Sequence, residues 1–319
     1  MQLTCVGIQQ ETADVVSFLF LADQPVDFIP GQFISLMVSI EGQTASRAYS
    51  ISSLPGDSRL RLTIKRVPVG RVSNYLLDTI RIGDRLEALS PAGEFHSQAA
   101  GNNPWLLLAA GCGVTPLFSM LKARLAEQFD ADICLLCSVR SELDRIFFRE
   151  LTQLAAHYPN FRLHWLDDSA GECLDMTSLA ALVDDVAERS VMICGPQGYM
   201  DAARDMVTRS GANNVHTEAF QPPEREQVVS GNNGFTLSVG DMRLPIAEGQ
   251  TVLESLEQGG VPILAACRSG ICGSCKCQGE AERVERLSTV GLSAEEIEQG
   301  YFLACSARAI GDMTVVVNR

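Results

Sequence analysis

The periodicity of this 319-residue chain changes twice, and those changes constrain its fold more than any other feature. Up to about residue 98 the pattern is one of short strands. ADVVSFLFLA, GQFISLMVSI, SRAYSIS and RLRLTIKRV are rich in β-branched and aromatic residues, and Pro30-Gly31, Gly42, Pro55-Gly56 and Pro91-Ala92-Gly93 separate them. Such spacing predicts a small antiparallel barrel or sandwich, with one helix after Ser73. From residue 101 to about 222, strand and helix alternate. WLLLAA (Trp105 to Ala110) is continuously apolar, as expected of a parallel strand buried on both faces. A helix follows from Pro116. Then come ICLLCSV, a helix from about Phe147, FRLHWLD, a helix near Met176 to Val186, SVMIC and a helix from about Tyr199. That order is a doubly wound α/β pattern.

A third unit follows. QPPEREQVVSGNNG (Gln221 to Gly234) is polar and rich in Pro, Gly and Asn, which reads as a linker. FTLSV and MRLPI read as a hairpin. Thr251 with Glu254 forms a capping-box pattern opening a helix that ends at Gly259-Gly260, and Ser293 with Glu296 repeats the pattern. The expected division is 1–99, 100–222, a linker at 223–234, and 235–319.

Composition excludes several classes. Apolar residues make up 46% and charged residues 20%, so the chain has ample core and is not disordered. Its net charge of −14 lacks the positive field that nucleic acid or an anionic membrane requires. No apolar run reaches the ~20 residues needed to span a bilayer. MQLTCVGIQQETADVV shows neither a basic nor an apolar leader region, so a soluble cytoplasmic protein is expected.

The 11 cysteines are odd in number, which excludes a fully paired disulfide framework, and five fall in the last 53 residues. In a reducing compartment such a cluster reads first as a metal site. Cys267-x4-Cys272-x2-Cys275, then Cys305 after 29 intervening residues, is the spacing of plant-type [2Fe–2S] ferredoxins. Two irons need four thiolates, and three come from one tight loop. Gly270 and Gly273 let the backbone approach and aim N–H groups at sulfur, and Arg268 adds positive charge beside an anionic cluster. A structural zinc site usually shows two paired units, and one is present here. Cys277 lies outside the ligand pattern and reads as a strand residue pointing away.

Two glycine turns end apolar strands. Gly111-Cys112-Gly113-Val114-Thr115-Pro116 leaves one strand and opens a helix, with Thr115 suited to the N-cap and Pro116 to the first helical position. A helix N-terminus so placed suits a pyrophosphate. GxGxxP alone is less specific than GxGxxG. The second turn, Cys194-Gly195-Pro196, joins it in forming the crevice where α/β sheets bind ligands. Cys112 and Cys194 read either as small packing residues or as neighbours of a nicotinamide ring. In the barrel segment, alternation places Arg47 and Tyr49 on one strand face, suited to gripping a phosphate and stacking on a flat cofactor. Ile64-Lys65-Arg66 leads to Gly70-Arg71-Val72-Ser73, where Ser73 could cap a helix facing the same phosphate. An ordinary polar strand and turn would look the same.

RxYS (Arg47 to Ser50), GxxS (Gly70 to Ser73), GxGxxP (Gly111 to Pro116) and CGP (Cys194 to Pro196) occur in this order. With the cysteine spacing, the chain resembles the ferredoxin–NADP reductase superfamily carrying a C-terminal plant-type ferredoxin domain, over essentially its whole length. SRAYSISSLPG, LLLAAGCGVTPLFSM, VMICGPQGYMD, VPILAACRSGICGSCK and GYFLACS are similar to segments of the NADH oxidoreductases that serve hybrid-cluster proteins. Reductases of Rieske-type oxygenases and of membrane desaturases share the module set.

The resemblance implies an antiparallel β-barrel flavin domain, a doubly wound α/β nucleotide domain and an α+β (β-grasp) [2Fe–2S] domain. By position, Arg47, Tyr49 and Ser50 would hold the flavin, with the Ser50 hydroxyl near its reactive ring nitrogen. Ile64, Lys65, Arg66, Gly70, Val72 and Ser73 would line the phosphate and ribitol chain. Gly111, Gly113, Thr115, Cys194, Gly195 and Pro196 would hold the nicotinamide nucleotide. Phe220 would lie where nicotinamide enters, with Glu218 close by; as a bare loop charge, Glu218 would need no such role. Cys267, Cys272, Cys275 and Cys305 would ligate the cluster.

Implied too is electron flow from NADH through FAD and the cluster to a protein acceptor, with the cofactors supplying the chemistry. The acceptor would be a hybrid-cluster protein, or alternatively an oxygenase or desaturase. FMN stays open, because relatives with this domain order use it. NADPH stays open as well, because Ser138 and Arg140 end the strand that could meet a 2′-phosphate. A redox sensor without turnover would need an output module, and no basic helix-turn-helix stretch is visible. An electron-transfer subunit of a larger dehydrogenase would resemble relatives with a shorter cysteine segment.

Overall fold

The computed structural model describes residues 1–68, 70–220, 234–263, 265, 268, 270, 273–289 and 292–317. The chain forms two compact units, Met1–Phe220 and Gln221–Arg319. The expected flavin and nucleotide segments are therefore halves of one unit. The expected linker at 223–234 falls almost wholly outside the described residues.

The first half of unit one holds β1 (Gln2–Thr12), β2 (Val15–Ala22), β3 (Phe33–Ile40), β4 (Gln43–Ser50), β5 (Leu60–Lys65), α1 (Arg71–Thr79) and β6 (Arg85–Ala88). They form one antiparallel sheet in the order β4-β3-β6-β1-β2-β5. Its edges meet: Ile51 bridges Leu62, and the Ser52 N–H donates to the Arg61 carbonyl at 2.8 Å, closing the sheet into a barrel. Phe18, Phe20, Ile34, Leu36 and Leu62 fill it.

α2 (Ser97–Ala100) leads into the second half. There β7 (Trp105–Ala110), α3 (Val114–Glu127), β8 (Ile133–Val139), α4 (Phe148–His157), β9 (Phe161–Asp167), α5 (Met176–Leu182), β10 (Ser190–Cys194), α6 (Gln197–Arg209) and β11 (Asn214–Glu218) follow in turn. The strands are parallel, in the order β11-β10-β7-β8-β9. Alternation along β7 explains the double winding. Leu107 and Ala109 pack with residues of α3 and α4, whereas Leu106 and Leu108 pack with residues of α5 and α6. Each leucine so buried contributes roughly 1.5–3 kcal/mol.

Unit two holds β12 (Phe235–Val239), β13 (Met242–Ile246), α7 (Val252–Gln258), β14 (Lys276–Gly279), β15 (Val284–Arg286), α8 (Ala294–Glu298), β16 (Tyr301–Leu303), β17 (Ala307–Ala309) and β18 (Met313–Val317). A mixed sheet in the order β13-β12-β18-β14-β16 packs on α7, and β15 pairs with β17. Both expected capping boxes are formed, at Thr251–Glu254 and Ser293–Glu296.

Two expected caps are not formed. α1 starts at Arg71 with Gly70 as its N-cap, so Ser73 lies in its third position. α3 starts at Val114 with Gly113 as its N-cap, and the Thr115 hydroxyl donates to the Cys112 carbonyl at 2.9 Å. In both places a glycine turn runs directly into the helix and takes the position a hydroxyl residue would occupy. The helix read to Val186 ends at Leu182, and a separate short turn covers Val186–Glu188.

Candidate functional site

The two glycine turns touch. A Cβ at Gly113 would lie 1.8 Å from the Cys194 carbonyl oxygen and 2.8 Å from the Gly195 nitrogen, so only glycine fits there. Gly111 has φ +53° and open space around it, so conformation rather than crowding calls for glycine. Gly195 lies against Ala110 and Tyr199, whereas Pro196 is exposed at the N-cap of α6. The Gly111–Gly113 turn also meets the end of β5. Burial pushes the Cys112 thiol up to about 12, opposed by the Lys65 ammonium. Burial raises the Cys194 thiol as well, and the Glu218 carboxylate and Cys112 add to it. Cys194 is fully buried core and pairs with Glu218 across β10 and β11.

The barrel supplies the other wall. The Arg47 guanidinium donates to the Phe220 carbonyl at 2.6 Å, and Phe220 packs against the core cluster that includes Val114 and Cys194. Tyr49 follows on the same strand, pairing with Ile34 while Ser50 pairs with Phe33. The Tyr49, Ser50 and Ser52 hydroxyls are sealed from solvent and make no hydrogen bond among the described residues. Burial raises the Tyr49 phenol, opposed by Arg47. Three buried hydroxyls with no partner among the described residues are costly, and a polar group bound beside them would offset that cost. This donor set fits a flavin with its ribitol and phosphates.

Other predicted flavin residues are engaged elsewhere. Lys65 pairs with Asp14 at 2.6 Å, and the Arg66 guanidinium pairs with Asp78 on α1. Ile64 is 1% exposed within the barrel core, which leaves its main chain for contact. Val72 packs against the same core, Ser73 is buried, and a Cβ at Gly70 would lie 2.5 Å from the Ser73 Oγ.

In unit two, Cys275 and Cys305 come together: the Cys305 N–H donates to the Cys275 Sγ at 3.4 Å, and the Ala304 N–H to the Cys275 carbonyl at 2.9 Å. Cys267 and Cys272 lie outside the described residues. Arg268 has φ +56° and pairs with Glu257. Its guanidinium is held up by Glu257 and, more weakly, by the Cys305 and Cys275 sulfurs, against burial. Gly270 has φ +77°, and a Cβ there would lie 2.6 Å from the Ser306 Oγ. Two buried thiols, one accepting a backbone N–H, beside a cation suit an anionic iron–sulfur centre. Cys277 is fully buried on β14 opposite Phe302, and burial pushes its thiol up to about 12, as expected of a core residue.

Sequence reasoning passed over Arg61, Ser52, Ser53 and Ser119. Ser119 donates to the Ser53 carbonyl at 2.8 Å, which joins α3 to the segment after β4.

Known proteins place these sites in context. The family model of the oxidoreductase FAD-binding domain matches residues 3–97, that of the oxidoreductase NAD-binding domain 107–205, and that of the 2Fe-2S iron-sulfur cluster binding domain 236–309. The chain is 34% identical to the glycine betaine monooxygenase reductase subunit of Pseudomonas aeruginosa, covering 98% of this chain and 93% of that protein. It is 35% identical to NADH oxidoreductase HCR of Escherichia coli, covering 97% and 95%. Among solved structures it resembles phthalate dioxygenase reductase, with a TM-score of 0.68, 24% identity and coverage of 100% and 98%.

Proposed function

The chain belongs to the ferredoxin–NADP reductase superfamily, in the branch with a C-terminal plant-type [2Fe–2S] domain, and on that premise we propose that it passes electrons from NADH to a hybrid-cluster protein. It is an FAD-, NAD- and [2Fe–2S]-binding oxidoreductase. When bound, the flavin accepts a hydride from nicotinamide and gives up electrons singly to an iron–sulfur centre. The chain's own residues bind, orient and exclude water.

The division of labour we propose runs 1–99 for flavin, 100–222 for nucleotide and 235–319 for the cluster. Arg47, Tyr49 and Ser50 hold the flavin, with Ser50 near its reactive nitrogen. Ile64, Lys65, Arg66, Gly70, Val72 and Ser73 line its phosphate and ribitol chain, which requires Lys65 and Arg66 to leave their present carboxylates. Gly111, Gly113, Thr115 and Cys194 to Pro196 hold the nucleotide, and Glu218 and Phe220 flank the nicotinamide. The sealed Ser50 hydroxyl and the Arg47–Phe220 bond support this arrangement. The four thiolates survive in a reducing cytoplasm, where we place the protein; among the described residues no helix is long and apolar enough to cross a membrane.

One observation carries the choice of acceptor. About 309 residues (97% of 319) align with the E. coli NADH oxidoreductase in 311 positions, almost without insertion. About 313 residues (98% of 319) need 342 positions against the glycine betaine monooxygenase reductase subunit. The second reading, reductase of a Rieske-type oxygenase, rests on the monooxygenase reductase components among the relatives.

The test mixes the purified protein anaerobically with NADH and supplies either a hybrid-cluster protein or a Rieske-type oxygenase. The expected result is bleaching of flavin and cluster bands, followed by reoxidation only by the hybrid-cluster protein. Reoxidation by the oxygenase alone replaces the acceptor. Binding of NADH with no bleaching and no ferricyanide reduction leaves a sensor.

A further inference from the structure

Arg61 lies in β5, is 7% exposed, and sits on the joint between the two halves of unit one. All three nitrogens of its guanidinium donate. Nε donates to the Ser17 hydroxyl at 3.1 Å, Nη1 to both Glu150 oxygens at 2.8 and 2.9 Å, and Nη2 to Glu11 at 2.6 Å. Ser17 and Glu11 belong to the barrel, and Glu150 to α4 of the α/β half. The guanidinium lies 4.5 Å from the Phe147 ring centroid. Phe147 is the buried N-cap of α4, holds φ +57°, and stacks on Phe118 of α3 at 4.3 Å. A bulky side chain in that conformation is strained, and it persists where its surroundings over-determine it.

The main chain of Arg61 continues the network. Its N–H donates to the Ser53 hydroxyl at 3.1 Å, and its carbonyl accepts from Ser52 N–H at 2.8 Å. The Ser53 carbonyl accepts from Ser119 of α3. One end of this polar chain is therefore the segment that follows Arg47–Ser50, and the other is the helix that starts at the Gly111–Gly113 turn.

We propose that Arg61, with Ser53 and Ser119, is a positioning device that sets the distance and angle between the flavin motif and the nucleotide crevice. It touches neither cofactor. It fixes β5 and the Ser50–Ser53 segment on one side and α3 and α4 on the other, so nicotinamide and flavin meet in one geometry. The inference rests on the nicotinamide-to-flavin transfer assigned above. It predicts an effect on the transfer step rather than on binding, because loose positioning costs rate steeply.

The test uses the full-length protein as isolated, with Ser119→Ala and Glu150→Gln, each of which removes one side of the joint. Amide exchange at residues 51–53 and 114–121 is expected to rise by about fivefold or more, while β8 stays unchanged. Rapid anaerobic mixing with NADH is expected to bleach flavin about ten- to a hundredfold more slowly. KM for NADH and flavin content are expected to stay within about twofold, and the isotope effect with 4-deuterated NADH is expected to rise. Unchanged exchange, or an unchanged bleaching rate and isotope effect, overturns the proposal. So does a slowing that lost flavin accounts for, since a merely structural contact would give that. Should either variant fail to fold, Arg61→Lys keeps the charge, removes the two-pronged bond, and is read in the same way. A parent protein that NADH does not bleach overturns the assigned reaction and this inference together.

Discussion

The Arg47 guanidinium donates to the carbonyl oxygen of Phe220 at 2.6 Å, so a barrel strand holds the last residue of the first compact unit. One side chain thus joins the proposed flavin motif to the residue proposed to flank nicotinamide. Arg47→Ala removes both services. A hydrogen bond to a charged group is worth about 1.5–3 kcal/mol, so FAD is expected to bind roughly ten- to a hundredfold more weakly. Fluorescence titration of FAD into stripped protein measures this, and unaltered affinity would remove Arg47 from the flavin site.

Gly113 and Gly111 separate crowding from conformation. Gly113→Ala places a methyl 1.8 Å from the Cys194 oxygen, and the two turns must part. Overpacking of this kind costs about 1–3 kcal/mol, and KM for NADH is expected to rise at least about tenfold with FAD retained. Gly111→Ala meets no atom but holds φ +53°, which costs about 1–2 kcal/mol. Its Tm is expected to fall with a smaller change in KM.

The cysteines divide by role. Cys275→Ser or Cys305→Ser is expected to abolish the cluster, measured as iron per chain and the visible spectrum, while NADH still bleaches the flavin. Cys277→Ala is expected to keep full iron content and lose about 1–2 kcal/mol of stability, because Cys277 is core. Iron lost on chelator treatment should take acceptor reduction with it and spare ferricyanide reduction.

Acid stability carries a signature from Asp132. Burial pushes this carboxyl up, but Arg189 and Arg162 outweigh it and hold it below the usual range. Arg189 is 2% exposed and donates to Asp132 and Asp185 together. A carboxyl lowered in the folded state stabilises fully above its unfolded value near 4, and that contribution disappears as pH falls through the lowered one. Tm is therefore expected to drop below about pH 4, and Asp132→Asn is expected to flatten that drop in a pH series of melting curves.

The strands of the α/β half are legible in the sequence. WLLLAA, ICLLCSV, FRLHWLD and SVMIC match β7 to β10 residue for residue: near-continuous apolar runs mark β7, β8 and β10, and the alternation of Phe161, Leu163 and Trp165 with Arg162 and His164 marks β9 at the sheet edge. β1 is not legible in the sequence. Its pairing with β2 shifts register at Cys5/Gly7 and Gln10/Thr12, and those shifts erase the two-residue period. Arg61 stayed hidden because an arginine in RLRLTIKRV reads as a solvent-facing position, whereas its partners Glu11 and Glu150 lie far away in sequence. The caps at Ser73 and Thr115 were misread because glycine turns feed those helices. The glycine motifs were legible, but not that Gly113 is dictated by Cys194.

That last contact has an evolutionary consequence. At Gly113 the two turns meet main chain against main chain, so selection cannot edit that contact by exchanging a side chain. If the crevice takes the nicotinamide nucleotide as proposed, a switch between phosphorylated and unphosphorylated nucleotides is expected to change Ser138 and Arg140 rather than this contact. Gly113 itself is expected to stay glycine, since any Cβ there meets the Cys194 carbonyl.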